Sequence, residues 1–332
     1  MQFTTRPEIL GTFGVATSTH WIASAVGMSI LEKGGTAIDA GAAMGFVLQV
    51  VEPHLCGPLG DMPALIKIAG DDTPHMVCGQ GTAPAGATID HYRSEGLDMI
   101  PGSGLLATVI PGAFGAWMLM LRDHGRLPLR DILEPAIHYA RHGHPTLARV
   151  SATIDGLSDF FQDEWPTSYE TWLPGGVSPA PESLFCNPVL ANAYERIVSE
   201  AEAATGREAQ IEAARRAFYE GFVAEAIDDW IKDACVMDAA GDRRKGVLTG
   251  QDMAGWQASY ETPLAADYGD WTVWKGGMWT QGPTFLQSLR LLDGTDIAQM
   301  DLNGADFVHT VTEAMKLSFA DREAYYGDPA HS

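Results

Sequence analysis

Residues 20–61 read HWIASAVGMSILEKGGTAIDAGAAMGFVLQVVEPHLCGPLGD. Two helical patterns meet in this stretch at a Gly-Gly break, where Gly34 is placed to end the first helix. Thr36 and Asp39 form a capping pair that starts the second helix, and Pro53 ends it. A loop punctuated by glycines follows. The stretch therefore predicts a tightly packed helical hairpin that leads into an ordered loop.

Outward from this hairpin, strand patterns stand on either side of a mostly helical middle. Short strands are predicted at 62–68 and 75–79, and another at 271–275. Between them, apolar residues recur at helical spacing, and about 145–245 is predicted to be a helical, loop-rich excursion. The predicted order is strands first, helices in the middle and strands again near the end. This order favours an α+β layered fold over a strictly alternating parallel sheet.

Large aromatic side chains are predicted to pack inside the protein. In the helical segment 207–233, the side chains predicted to face inward are those of Phe218, Phe222, Ile227, Trp230 and Ile231. The tryptophans at 256, 271, 274 and 279 suggest an aromatic binding surface at first sight. Their positions fit strands and core packing better, which is the more common use of tryptophan.

The charge balance excludes two classes of partner. The 332 residues include 43 acidic and 21 basic side chains, which gives a formal charge of −22. Such a field repels phosphate backbones and anionic membrane surfaces, so we expect neither nucleic acid nor membrane as a partner. No apolar run reaches the roughly 20 residues that span a bilayer.

The compartment is predicted from the cysteines and the first residues. The four cysteines are scattered, with no CxxC spacing, which is typical of a reducing environment. The first residues lack a basic segment followed by an apolar one, so no secretory signal is expected. We therefore expect a cytoplasmic protein.

Several side chains suggest chemistry but fit a structural role better. Cys56 lies in the glycine loop without a nearby histidine base and carboxylate to activate it. His54 stands at a helix end, where a bond to loop backbone is the plainer role. His138, His142 and His144 do not share one helical face, so no metal site is expected. No phosphate-binding loop occurs, and we expect no cofactor.

A series of short motifs follows the hairpin in a fixed order and runs almost end to end. The motifs are Glu52-Pro53-His54, Thr82-Ala83-Pro84, Ile110-Pro111-Gly112, His124-Gly125-Arg126-Leu127-Pro128, Leu248-Thr249 with Asp252, Glu313-Ala314-Met315-Lys316 and Gly327-Asp328-Pro329. No single motif is decisive, but their number and order resemble the γ-glutamyltransferase family of N-terminal nucleophile hydrolases.

The resemblance implies a fold, a mechanism and a partner. Members of this family fold as one precursor with a four-layer αββα core, and the precursor cleaves itself just before a threonine. That threonine then supplies both nucleophile and base. Residues 1–332 would be the large subunit, with no catalytic residue of its own. The N-terminal threonine would lie on a separate small subunit, in a heterodimer that can double into a tetramer.

Two departures from the family pattern concern the substrate. Relatives that transfer a γ-glutamyl group carry an arginine a few residues after the Thr-Ala-Pro motif, and its fork suits the substrate's α-carboxylate. Here Ile89 takes that position. Arg93, four residues later, reaches the same place if the segment is helical, whereas a solvated surface arginine is its plainer role. The glycine loop also differs, because prolines flank the segment around Gly60 and Asp61 adds a charge. The side chain of Asp61 either lines the pocket or holds a loop amide. Gly60, Asp61, Ile89 and Arg93 are therefore the candidate substrate-binding residues.

These departures predict an amidohydrolase that acts on another acyl group, in the manner of oxamate amidohydrolase or the related cephalosporin acylases. Its substrate would be a small-molecule amide, and water would resolve the acyl-threonine intermediate. One alternative is a γ-glutamyltransferase or glutathione hydrolase in which Arg93 replaces the missing arginine. An alternative of another class is an inactive relative that serves as a scaffold or binding protein.

Overall fold

The computed structural model describes residues 8–330 of the chain. Contacts between residues divide these into two compact units, residues 8–61 with 80–257, and residues 62–79 with 258–330. The helices are α1 (Trp21–Glu32), α2 (Ala37–Val51), α3 (Ile89–Ser94), α4 (Ala113–His124), α5 (Leu129–His142), α6 (Ala148–Gly156), α7 (Ser158–Glu164), α8 (Pro166–Trp172), α9 (Pro188–Glu202), α10 (Arg207–Tyr219), α11 (Phe222–Asp233), α12 (Gly250–Gly255), α13 (Gly282–Asp293) and α14 (Ala305–Tyr325).

The strands are short, and all their pairings are antiparallel. They are β1 (Ala64–Ile66), β2 (His75–Cys78), β3 (His144–Pro145), β4 (Leu184–Phe185), β5 (Cys235–Met237), β6 (Arg243–Lys245), β7 (Ser259–Glu261), β8 (Leu264–Tyr268) and β9 (Trp271–Lys275). The predicted α+β class is confirmed, since long helices and antiparallel strands share the chain. Within residues 8–330 no helix combines the length and apolar character of a membrane span.

The α1–α2 hairpin has the predicted form. Gly34 adopts φ of +88°, and the N–H of Gly35 donates to the carbonyl of Ile30 at 3.0 Å, so the glycine pair closes α1. Thr36 and Asp39 then form a reciprocal capping box at the start of α2. Local backbone signals are enough to set both helix ends here.

The carboxylate of Asp39 also ties the hairpin to the turn before α5. It is 0% exposed, and it accepts the backbone N–H of Arg126 at 2.9 Å as well as the N–H of Thr36 at 2.8 Å. One acidic side chain therefore caps a helix and fixes a turn that lies 87 positions later in the sequence.

The core of the first unit is aromatic and centres on α2. Phe46 meets Phe114 of α4 and Tyr194 of α9 edge to face, with ring centroids 5.8 and 5.7 Å apart. Phe114 in turn stacks on Phe218 of α10 at 4.4 Å. Burial of one such side chain stabilises the fold by about 1.5–3 kcal/mol, so these contacts make the hairpin the centre of the helical unit.

The middle region, about 145–245, is more regular than its sequence suggests. Helices α6, α7 and α8 enclose a local core that contains Val150, Ile154, Phe161 and Leu173. The irregular part is mainly residues 173–187, which hold one 3₁₀ turn and β4. The helical segment predicted at 207–233 is two helices, since α10 ends and α11 begins around Gly221.

The prediction that Trp230 points inward is wrong. Its side chain is 46% exposed, whereas Ile231 is buried. The two residues are neighbours on α11, so their side chains project about 100° apart, and packing selects Ile231 for the core. A large aromatic surface is therefore left open beside the middle region.

The second unit contains a three-stranded sheet of order β1-β2-β7 and a separate β8–β9 hairpin. The predicted β1–β2 pair is confirmed, with Leu65 opposite Met76. Helix α13 packs against α14 and against β8. The prediction that Trp271 packs in a core is wrong, because it is 76% exposed, at the turn end of a hairpin that has only two strands.

Candidate substrate-binding site

The glycine loop after α2 is held by its backbone. The N–H of Gly60 donates to the carbonyl of Gly57 at 3.1 Å. The carbonyl of Gly60 accepts the N–H groups of Gly112 and Ala113, at 3.1 and 3.0 Å, where α4 begins. The N–H and the carbonyl of Gly60 therefore both form hydrogen bonds within the protein, and these bonds fix the turn at Gly60.

Asp61 follows this turn, and its side chain is exposed. Among the described residues it forms no hydrogen bond and no ion pair. Of its two predicted roles, holding a loop amide does not occur in this structure. The role of lining a pocket remains a prediction.

The Thr-Ala-Pro segment is fixed on both sides. A Cβ atom added at Gly81 would lie 1.6 Å from the carbonyl oxygen of Ile110, so only glycine permits this approach, and the N–H of Ile110 donates to the carbonyl of Thr82 at 3.0 Å. On the other side, the carboxylate of Asp252 accepts the N–H of Ala85 at 2.9 Å. The segment therefore enters α3 along a defined path.

The charge state of Asp252 suits it to accept the N–H of Ala85. Burial raises its pKa, but hydrogen bonds from the N–H of Ala85 and from the hydroxyl and N–H of Thr249 outweigh that effect and bring the pKa below its usual value. The side chain is therefore ionised at neutral pH and accepts these bonds as a carboxylate. The sequence marks Asp252 only as a helix cap and gives no signal for the contact to Ala85.

Helix α3 carries two of the four candidate residues. Thr88 caps it by accepting the N–H of His91 at 3.1 Å. Ile89 is the first helical residue, and Arg93 lies one turn later. Both side chains line one cavity of about 390 Å³, as residues one helical turn apart can, and their role toward a substrate stays a prediction. Neither Gly60 nor Asp61 lines this cavity.

The cavity is mainly apolar. Ile89, Met99 and Ile100 line it and are 70, 80 and 63% exposed, so their surfaces are available for contact. The side chain of Arg93 is exposed and forms no ion pair or hydrogen bond within residues 8–330. Of the described lining residues, it carries the only positive charge. Met99 and Ile100 were not identified from the sequence, and the signal for them is weak, an apolar pair outside any periodic element.

Among its described residues, the lining of this cavity offers no activated nucleophile. The hydroxyl of Tyr92, which also lines it, donates to the carbonyl of Leu106 at 2.7 Å, and burial raises its pKa. Cys56, in the glycine loop, is no nucleophile at neutral pH either, because partial burial of its sulfur and the nearby Glu52 carboxylate raise its pKa to about 11.

The histidines take positions that differ in part from the prediction. Within residues 8–330 the His54 side chain makes no hydrogen bond to loop backbone, so that prediction is wrong. Its Nδ1 is buried without a partner, and the ring lines a small apolar cavity of about 190 Å³ beside α6 and α7. His138 and His142 are exposed neighbours with ring centroids 4.9 Å apart, and His144 is buried beyond the end of α5. Within residues 8–330, no three potential ligands are grouped to hold a metal ion.

Comparison with protein families and curated proteins identifies relatives over nearly the whole chain. The family model described as Gamma-glutamyltranspeptidase matches residues 23–332. The Glutathione hydrolase-like YwrD proenzyme of Bacillus subtilis is 30% identical over 324 residues, 97% of this chain and 57% of that protein. The oxamate amidohydrolase proenzyme of Klebsiella pneumoniae is 32% identical over 331 residues, 97% of this chain and 57% of that protein. The chain thus spans little more than half the length of these relatives.

Solved structures of similar proteins match the fold of this chain. The structure of LmbA2991T421A is 50% identical with a TM-score of 0.93, and the match covers 98% of this chain and 55% of that chain. The gamma-glutamyltranspeptidase of Helicobacter pylori is 25% identical with a TM-score of 0.85, over 98% of this chain and 88% of that chain. The predicted N-terminal nucleophile hydrolase fold, with its αββα core, is confirmed by these neighbours.

Proposed function

The chain belongs to the gamma-glutamyltranspeptidase family, and we propose that it is the large subunit of an amidohydrolase. Its substrate would be a small acyl amide other than a γ-glutamyl compound, with oxamate as the example to test. In this proposal residues 1–332 form one half of a single catalytic domain, with the region of about 145–245 as an excursion from it. Two relatives, an oxamate amidohydrolase and a glutathione hydrolase-like protein, are named proenzymes, which supports cleavage of a precursor into two subunits. The name of the first also supports an acyl amide as the substrate.

The proposed chemistry is acyl transfer to a threonine. Cleavage of the precursor would free the α-amine of a threonine on the small subunit, and this amine would take the proton of the threonine hydroxyl. The hydroxyl oxygen would attack the amide carbon, and the amine would then protonate the leaving nitrogen, so that ammonia departs from a primary amide. Water would hydrolyse the acyl ester and return the threonine.

The small subunit would be the first partner of this chain, and the heterodimer could double into a tetramer. Within residues 8–330 no disulfide joins the four cysteines, and the proposed location is the cytoplasm. Neither a cofactor nor a metal enters the proposed chemistry.

The presence of isoleucine at position 89 is the main support for the proposed substrate. Ile89 occupies the position where the resemblance places an arginine in γ-glutamyl-transferring relatives, and its side chain is open to the cavity of α3. An isoleucine offers an α-carboxylate neither charge nor hydrogen bonds, and a carboxylate buried against it would be unpaired. Arg93 would meet the charge of a short acyl group such as oxamate from the side of the cavity. Gly60 would shape the loop, and Asp61 would line the pocket.

The test is a pair of variants in the processed full-length enzyme. Ile89→Arg restores the cation at the family position, and Ile100→Arg adds the same charge elsewhere in the same cavity. We expect Ile89→Arg to lower kcat/KM for oxamate and to raise glutamate release from glutathione by at least about tenfold, while Ile100→Arg gives no such gain. A wild-type enzyme that already prefers glutathione would overturn the proposal.

The second candidate is a γ-glutamyl hydrolase, and the position of Arg93 favours it. Arg93 lies on the same cavity as Ile89 and has no carboxylate partner among the described residues. It could therefore bind the substrate's α-carboxylate in place of the missing arginine. In that case Arg93→Ala would raise KM for a γ-glutamyl anilide by about 10–100-fold, the loss of a charged hydrogen-bonded contact.

The third candidate is an inactive scaffold. It is distinguished by the mass of the full-length product, because a precursor that stays in one piece has no N-terminal threonine and cannot follow the proposed mechanism. Cleavage into two chains would remove this candidate.

A further inference from the structure

A second cavity lies in the middle region, and its lining differs from that of the cavity at α3. It measures about 410 Å³, within the range of small-molecule sites, and no residue lines both cavities. Three parts of the chain form it, namely the 3₁₀ turn Leu105–Ala107, the junction of α7 and α8, and the end of α11 with β5. It lies within the first unit.

Two tryptophans form its walls. The indole of Trp165 is fixed, because its Nε1 donates to the carbonyl of Met237 at 2.9 Å and its ring stacks on Phe161 with centroids 5.9 Å apart. Trp230 is the residue that packing leaves 46% exposed on α11. Leucine, valine, alanine and proline side chains complete the apolar surface. A fixed indole and an open indole on one cavity suit a flat π-system, which gains by stacking as well as by burial.

The polar groups of the cavity restrict the charge of its ligand. The carboxylate of Glu164 lines the cavity but is bound by Arg243 at 2.8 Å, so the wall carries no free charge there. The hydroxyls of Thr167 and Ser168 stand at the same wall and offer hydrogen bonds. The chain as a whole has a charge of −22, which repels anions.

We propose that this cavity is a binding site for a planar aromatic small molecule without negative charge. Stacking on the two indoles would supply the affinity, and the hydroxyls would orient a polar edge of the ligand. A cationic aromatic would gain further from the indole faces.

The test uses Cys235 as a reporter, since this free and exposed cysteine lines the cavity. The processed full-length protein is treated with iodoacetamide while indole, tryptamine, indole-3-acetate or cyclohexylamine is titrated. Alkylation of each cysteine is followed by peptide mass spectrometry. Cys186 is the internal reference, because it is free and exposed but does not line the cavity.

We expect indole and tryptamine to slow alkylation of Cys235 at least about threefold at millimolar concentration, as mass action requires of an occupied site. Cyclohexylamine and indole-3-acetate should protect much less, and Cys186 should not respond. Trp230→Ala should abolish the protection and Trp230→Phe should keep most of it, while the control Trp271→Ala, another exposed tryptophan, should behave as wild type.

Three results would overturn the proposal. Alkylation of Cys235 at an unchanged rate in millimolar indole and tryptamine would show that the cavity binds neither ring. Equal protection by cyclohexylamine would show that the walls do not select aromatic rings. Protection that survives Trp230→Ala would place the ligand elsewhere.

Discussion

Replacing Asp39 by alanine is expected to destabilise the first unit by about 2.5–4 kcal/mol. The carboxylate is buried and accepts the N–H of Thr36 at 2.8 Å, the hydroxyl of Thr36 at 3.1 Å and the N–H of Arg126 at 2.9 Å. Loss of the capping interaction costs about 1 kcal/mol. Loss of a hydrogen bond from Arg126 to a charged acceptor costs about 1.5–3 kcal/mol more, since no water replaces the acceptor there.

Asp252→Ala is the matched control. Asp252 closes the same Thr-x-x-Asp capping box at α12, and it also accepts a distant N–H, that of Ala85 at 2.9 Å. The two carboxylates therefore make similar bonds, but Asp252 is only partly buried. Because water can solvate the groups that it leaves, the expected loss is smaller, about 1–2 kcal/mol.

The assay is equilibrium urea unfolding of the full-length protein, followed by circular dichroism at helical wavelengths. Asp39→Ala should lower the transition midpoint clearly more than Asp252→Ala does, with an unchanged slope. Equal losses would refute the reasoning, because burial of the acceptor would then not decide the cost. A loss below about 1 kcal/mol for Asp39→Ala would refute it too.

Three further predictions concern the packing and charge of the first unit. Gly81→Ala should prevent folding, because its Cβ would meet the carbonyl oxygen of Ile110 at 1.6 Å, whereas Gly57→Ala meets nothing within 4 Å and should fold normally; soluble yield and circular dichroism compare them. Tyr219→Phe should lose about 2 kcal/mol in urea unfolding, because the buried hydroxyl bridges two backbone groups at 2.9 and 2.7 Å, and a loss under about 0.5 kcal/mol would contradict this. Burial, and next a neighbouring histidine, lower the pKa of His144 to about 4, so the folded protein holds it neutral. The contribution of neutral His144 to stability is complete above the unfolded pKa of about 6.5 and is lost as the pH falls toward 4. The urea midpoint of His144→Gln should therefore fall less than that of the wild type over this pH range. An identical fall in both proteins would contradict this prediction.

The hairpin was predictable because its signals are local. A glycine with positive φ at Gly34 and a capping box at Thr36 and Asp39 act through backbone within a few residues. The shared cavity of Ile89 and Arg93 was predictable for the same reason, since residues four apart on a helix project from one face.

What could not be predicted depends on contacts between distant parts of the chain. The bond from Ala85 to Asp252 joins residues 167 positions apart, and no spacing rule announces it. Trp230 and Ile231 are neighbours that were both predicted to face inward, and only the packing of α11 decides which is buried. Met99 and Ile100 join the cavity because an irregular segment turns toward α3, which periodicity does not encode.

The substrate preference of the wild-type enzyme tests the central claim most directly. The processed full-length enzyme is assayed for ammonia release from oxamate and for glutamate release from glutathione, on one sample and at one pH. With Ile89 at the cavity of α3, kcat/KM for oxamate should exceed that for glutathione by at least about 100-fold, since the α-carboxylate of glutathione has no cation at the family position. A higher kcat/KM for glutathione would contradict the account and give the carboxylate-binding role to Arg93.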